Sequence, residues 1–188
     1  MDYMLTINNI VTLFWIVFVV YWFVSAIGVK ENVKSGSWAH FAGFRILAAV
    51  IVVILLQESS SWKFVAYQFD FGAQVTGTIL CALGLGIAIW ARVYLGRNWS
   101  GTPSMKKDHE LVTSGPYQYV RHPIYTGMVL ALFGSALAAG VVWFVMFIVF
   151  SVMFLYRIPV EERYMMQLFP DQYPEYKKRT KALIPFVW

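Results

Sequence analysis

Thirty-three consecutive residues, 124 to 156, carry no charge: IYTGMVLALFGSALAAGVVWFVMFIVFSVMFLY. As one helix this run would rise about 50 Å, against a hydrocarbon core of ~30 Å. It is too long for one simple span and barely long enough for two. GSALAAG, 134 to 140, offers a turn near the middle. The run therefore reads as two short helices, 124–139 and 140–157, in a tight hairpin whose shortness tilt or local thinning absorbs.

Three further apolar stretches precede it, at 10–29, 41–56 and 71–91. The second holds Arg45, which can snorkel to the interface. In the third, Gly84 and Gly86 allow a neighbouring helix to come close. The chain is 59% hydrophobic and 13% charged, and a soluble domain carries about 25% charged residues. The expected fold is all-α, a polytopic integral membrane protein of about five transmembrane helices forming one domain over 1–188. The first apolar run lacks a basic flank and a small-residue cleavage site, so it reads as a retained helix.

One cysteine, Cys81, excludes a disulfide within the chain and reads as a small buried core residue. His40, His109 and His122 are scattered and lack the HExxH spacing, so no metal is expected. The net charge of +5 reflects membrane topology rather than a nucleic-acid partner. With five spans, 14 of the 15 Lys and Arg residues fall on one side and only Lys63 on the other. The positive-inside rule then places the N-terminus outside and the C-terminus inside. The polar loop 92–123 and the charged tail 157–188 share the cytosolic face.

That face gathers His109, Tyr117, Arg121, His122, Tyr125, Arg157, Glu161 and Glu162, much of it within GPYQYVRHPIYTG at 115–127. Ionisable groups at the edge of spans are functional candidates. Arg157 and Glu161 lie four apart, the spacing of an intrahelical ion pair. Pro159 between them would kink a helix and could splay the two charges toward different ligands. Pro123 restricts His122 to extended geometry just before a helix that carries Tyr125. Interfacial aromatics would account for the tyrosines, though less well for the Arg-His pair. Gly115-Pro116 is a turn signal that lets the backbone approach a ligand.

HELVTSGPYQYVRHPIYTG at 109–127, RIPVEE at 157–162, LFPDQYPEYKKRTKALIPF at 168–186 and the upstream LGRNWS at 95–100 together form a pattern. It resembles the isoprenylcysteine carboxyl methyltransferase family and its wider kin of membrane-embedded methyltransferases. The resemblance covers about residues 92–188. It implies a helical membrane fold with a cytosol-facing pocket for S-adenosylmethionine, released as S-adenosylhomocysteine. Carried over, the donor-binding residues are His109, Glu110, Leu111, Val112, Tyr117, His122, Pro123, Ile124, Tyr125 and Glu161. Arg157 corresponds to the family's arginine beside the substrate carboxylate, so Arg157 and Glu161 are the candidate catalytic pair. Where the family has a glutamine seven positions before the histidine of HxLV, this chain has Thr102.

Methyl transfer needs alignment more than acid-base work. A carboxylate acceptor is already ionised at neutral pH and needs a cation to hold it, a task suited to arginine. The residues thus favour a lipophilic carboxylate, of the prenylcysteine type, entering from the bilayer. An ethanolamine-type amine would need a base, for which His122 and Glu162 are equally eligible. A thiol acceptor also remains open. Two other classes are a NADPH-dependent membrane reductase, whose family is generally larger, and a non-enzymatic membrane protein.

Overall fold

The computed structural model describes residues 2–27, 32–35, 69–99, 104–106 and 110–187. They contain helices α1 (Asp2–Ser25), α2 (Phe71–Leu95), α3 (Pro123–Ala139), α4 (Val141–Leu168) and α5 (Gln172–Arg179), and strands β1 (Asn32–Ser35) and β2 (Ser104–Lys106). The expected span over 41–56 lies outside the described residues, as do His109 and Thr102.

Among the described residues three helices are long and apolar enough to cross a membrane, α1 from Thr6 onward, α2 and α4. α3, with 17 residues, rises only about 26 Å. The chain is thus a helical integral membrane protein. Local chemistry sets the helix ends. The Asp70 side chain accepts the Ala73 N–H at 3.0 Å and opens α2. Pro123 occupies the first position of α3, where its missing N–H costs nothing. Gly140, at φ 95°, separates α3 from α4, so the turn expected within GSALAAG falls at its last residue. α4 then continues eleven residues past the expected limit at 157, placing Glu161 and Glu162 on the helix itself. α1 begins eight residues before the expected 10–29 boundary and ends four before it, because hydropathy marks the apolar stretch and not the backbone conformation.

α2 and α3 cross at matched glycines. A Cβ on Gly84 would sit 2.4 Å from the Ala131 nitrogen and 2.5 Å from the Gly127 oxygen; one on Gly77 would sit 2.5 Å from the Gly134 oxygen. The backbones touch at both points, seven residues apart on each helix. Gly86, expected to share this role, has nothing within 4 Å of its notional Cβ; it faces away from the contact. α1 is tied to the pair by Trp15, whose Nε1 donates to Ser135 Oγ at 2.9 Å, and the Ser135 hydroxyl donates to the Ala131 carbonyl at 2.8 Å. Cys81 is fully buried in this core.

β1 and β2 pair antiparallel, Asn32 opposite Lys106 and Ser35 opposite Ser104. This ribbon, in segments the sequence left as loops, brings the residues after α1 together with those after α2. Arg92 near the end of α2 also donates to the Ser25 carbonyl at the end of α1. The C-terminal ends of α1, α2 and α4 and the N-terminal end of α3 therefore share one end of the bundle.

Candidate active site

At that end the chain folds a compact loop before α3. Gly115 takes φ 59° and starts a 3-10 turn, Gly115–Gln118. A Cβ there would lie 2.4 Å from the Tyr94 ring, so the close approach allowed by this glycine is to α2 and not to a ligand. The loop then runs beside the C-terminal segment. Val120 forms a parallel bridge with Lys181. The Arg121 and His122 amides donate to the carbonyls of Lys181 at 2.8 Å and Ala182 at 3.0 Å. Thr126 Oγ1 donates to the Leu183 carbonyl at 2.7 Å, and Tyr176 donates its hydroxyl to the Tyr117 carbonyl at 2.6 Å. The tail thus straps the loop in place.

Two carboxylates organise the polar groups. Glu162, only 6% exposed, receives Arg121 Nε at 2.7 Å and Lys177 Nζ at 2.6 Å. Arg121 also donates to the Thr180 carbonyl. Glu161 faces the other way. Its Oε1 accepts the Tyr125 hydroxyl at 2.6 Å and Arg157 Nη2 at 2.8 Å. α4 runs unbroken through Pro159, so the four-residue pair is closed, and the splaying expected of the proline does not occur. His122 sits between the carboxylates. Its Nδ1 is 3.6 Å from Glu161 Oε2 and its Nε2 is 3.5 Å from Glu162 Oε1, both beyond good hydrogen-bond length. Nε2 is buried with no hydrogen-bond partner. The His122 backbone, at φ −123° and ψ 57°, stops short of the extended geometry expected before proline.

The rings add a second layer. Tyr125 stacks on His122 at 5.5 Å and on Phe154 at 4.4 Å, nearly parallel to both. The Arg157 guanidinium lies 5.8 Å from the Tyr125 centroid. Burial raises the Tyr117, Tyr173 and Tyr176 phenols well above their ordinary range, so all three are neutral hydrogen-bonding groups.

These elements enclose a cavity of about 480 Å3. Of the residues expected from sequence, Glu110, Leu111, Val112, Tyr117, His122, Ile124, Tyr125, Arg157 and Glu161 all line it. Pro123 does not; it is fully buried behind the loop. Sequence reasoning missed the opposite wall, built by Phe18, Trp22 and Phe23 of α1 together with Trp99, Phe150 and Phe154. It also missed Tyr173 and Tyr176 of α5. Among the described residues no cluster of His, Cys, Asp and Glu could hold a metal ion. The cavity therefore joins a charged floor to an aromatic wall, and Phe23 at its edge is 73% exposed on the apolar outer surface.

Residues 73–172 match the family model described as phospholipid methyltransferase. The protein-S-isoprenylcysteine O-methyltransferase of Schizosaccharomyces pombe is 32% identical over 177 residues, covering 89% of this chain and 67% of that protein. The enzyme of the same name from Saccharomyces cerevisiae is 36% identical over 162 residues, covering 84% and 66%. The cobalt-zinc-cadmium resistance protein CzcN of Cupriavidus metallidurans is 30% identical over 145 residues, covering 76% and 62%. Among solved structures, the eukaryotic intramembrane Ras methyltransferase ICMT superposes with a TM-score of 0.55 at 23% identity, over 81% of this chain and 54% of that one. The chain spans about two thirds of the length of these curated relatives and about half of the solved one. With a family model over more than half its length and a relative at 32% identity, this chain belongs to the isoprenylcysteine carboxyl methyltransferase family, within the wider phospholipid methyltransferase group.

Proposed function

We propose that this protein is an S-adenosylmethionine-dependent methyltransferase that esterifies a carboxylate on a lipophilic acceptor of the prenylcysteine type. The observation that carries this reading is the single cavity in which a floor of His122, Tyr125, Arg157 and Glu161 meets an aromatic wall from α1 and α4. One compartment serves a polar donor and a greasy acceptor that come from different phases.

The residues present fit the donor. The cavity volume, about 480 Å3, falls within the ~300–1,000 Å3 of small-molecule sites. Glu161 offers a carboxylate toward a cationic ligand, and the orphaned His122 Nε2 offers a buried polar atom without a partner. Glu110, Leu111, Val112, Tyr117, His122, Ile124, Tyr125 and Glu161 would hold the donor, with His109 joining from just upstream and Pro123 fixing the loop. The bound donor supplies an electrophilic methyl group on a sulfonium. Arg157 holds and orients the acceptor carboxylate through its planar fork of donors. The apolar wall excludes water, which strengthens these charge interactions. No residue need act as a base, because the carboxylate is already ionised.

In this reading residues 1–188 form one membrane-embedded unit of about five spans, with the donor-binding and catalytic part in 92–188. The cavity faces the cytoplasm, the N-terminus lies outside, and the partners are the bilayer and the lipophilic acceptor. The decisive experiment transfers labelled methyl from S-adenosylmethionine to an S-farnesylcysteine derivative, with a phosphatidylethanolamine and an alkanethiol as parallel acceptors. Label in the first as a base-labile ester is the expected result. Label confined to the amine or the thiol would overturn the carboxylate assignment, and no transfer to any acceptor would overturn the enzyme.

A further inference from the structure

Away from the cavity, the last turn of α2 buries a cation. Arg92 is 2% exposed. Its Nη1 donates to the Gly96 carbonyl at 2.6 Å and its Nη2 to the Ser25 carbonyl. The guanidinium lies 4.7 Å from the Trp99 ring centroid. Its Nε is buried and has no hydrogen-bond partner. Among the described residues no carboxylate forms an ion pair with Arg92. Buried charges are normally paired, because an uncompensated one carries a large desolvation cost. Two carbonyl dipoles and a ring face compensate this one only in part.

Arg92 also lines a second pocket of about 250 Å3, shared with Tyr21, Ser25, Gly96 and Arg97. Arg97, exposed at its rim, brings a second cation. Ile27 and Val93 complete the lining and are 80% and 59% exposed, as expected of residues that face lipid. The pocket thus lies where α1 and α2 leave the apolar layer, at headgroup depth. A guanidinium matches the oxygens of a phosphate by geometry as well as by charge. Basic pockets between helices at the cytoplasmic boundary suit anionic headgroups.

We propose that the pocket between the ends of α1 and α2 binds a phosphate-bearing anion, supplied in the membrane by the headgroup of an anionic phospholipid. The site is separate from the methyl-transfer cavity and does not depend on the acceptor assigned there. It touches that cavity through one contact. The Trp99 face under Arg92 belongs to a ring set edge-on to Trp22 at 5.5 Å, and both tryptophans line the larger cavity. Headgroup occupancy would therefore bear on the aromatic wall.

The test uses the full chain in phosphatidylcholine nanodiscs, titrated with phosphatidylglycerol in one arm and inorganic phosphate in the other. Tryptophan fluorescence and the thermal unfolding midpoint are read together. The expected result is a saturable response to phosphatidylglycerol, with inorganic phosphate at least tenfold weaker. Arg92→Met and Arg97→Ala should each weaken the lipid response at least tenfold, while Lys178→Ala on the exposed face of α5 leaves it intact. Arg92→Met also removes the clip between α1 and α2, so Arg97→Ala and Tyr21→Phe, which leave that clip in place, decide the matter if it fails to fold. Equal responses in the native chain, Arg97→Ala and Tyr21→Phe would overturn the site. An equal response to both ligands would overturn the lipid as its source.

Discussion

The Tyr125 hydroxyl donates to Glu161 Oε1 over 2.6 Å, the same oxygen that Arg157 Nη2 reaches at 2.8 Å. One carboxylate oxygen thus collects a neutral and a charged donor. The other, Oε2, lies 3.6 Å from His122 Nδ1 and is the oxygen left to meet a ligand. Tyr125→Phe removes one donor but keeps the ring stack on His122 and Phe154. It should weaken S-adenosylhomocysteine binding about five-fold, near the ~1 kcal/mol of an ordinary hydrogen bond. Tyr125→Leu, which also loses the stack, should weaken it more. Calorimetry in detergent measures both.

The closed Arg157–Glu161 contact makes a double-mutant cycle informative. Residues in contact couple by roughly 0.5–3 kcal/mol, so some coupling between Arg157→Ala and Glu161→Gln is expected. Beyond it, Glu161→Gln should cost donor binding ~1.5–3 kcal/mol, the range for hydrogen bonds to charged groups. Arg157→Ala, and Arg157→Lys to a lesser degree, should depress acceptor turnover more than donor affinity. Equal and fully coupled losses in both readouts would mean that the two residues serve only each other.

Gly84 and Gly86 form a matched pair for testing the α2–α3 contact. A methyl on Gly84 meets backbone atoms of α3 at 2.4–2.5 Å, and a methyl on Gly86 meets nothing. Backbone cannot swing aside as a side chain can. Gly84→Ala should therefore destabilise by about 1–3 kcal/mol, as overpacking does, and Gly86→Ala should be neutral or slightly stabilising. Unfolding in mixed micelles under a denaturing detergent ranks the two.

Tyr176→Phe tests the strap. It frees the Tyr117 carbonyl, which is otherwise held at 2.6 Å, while leaving the cavity walls in place. Hydrogen exchange at residues 117–122 should speed up several-fold, by about the worth of one hydrogen bond. Unchanged exchange would show that the Lys181 and Ala182 carbonyls hold the loop unaided.

The proposed orientation rests on the Lys/Arg distribution and is open to labelling. With Val187→Cys, which is 70% exposed, a membrane-impermeant maleimide should react in inverted vesicles and not in intact cells. The native Cys81 is fully buried and gives little background. Labelling from outside would reverse the topology.

Much of this arrangement was legible because it rested on residues with narrow physical roles. A glycine in a long uncharged run located the break at Gly140, and the HELVTSGPY, RHPIY and RIPVEE segments that carry the family resemblance picked out nine of the residues that line the cavity. The α1 wall was not legible. Along a helix that is apolar all round, periodicity does not say which face turns inward, so Trp22 and Phe18 looked like any lipid-facing residue. Gly77 and Gly86 differ in role for the same reason, since the crossing of α2 and α3 is set by packing and not by pattern. Arg157 and Glu161 show the reverse case: spacing gave the pair, and only the continuous helix through Pro159 settled that it stays closed. The strap was hidden because its partners lie 59 positions apart, beyond any local signal.

That distance has a consequence for how the protein is made. The loop holding Arg121 and His122 leaves the ribosome before α4, yet its brace at Thr180 follows Arg121 by 59 positions, and those at Lys181, Ala182 and Leu183 come later still. A nascent chain arrested near Arg179 would already carry every membrane-crossing helix described here. Its loop before α3 would lack the Lys181 and Ala182 carbonyls that take the amides of Arg121 and His122. Insertion of the helices and bracing of this loop are therefore separable steps, and a product truncated there would hold the loop without its strap.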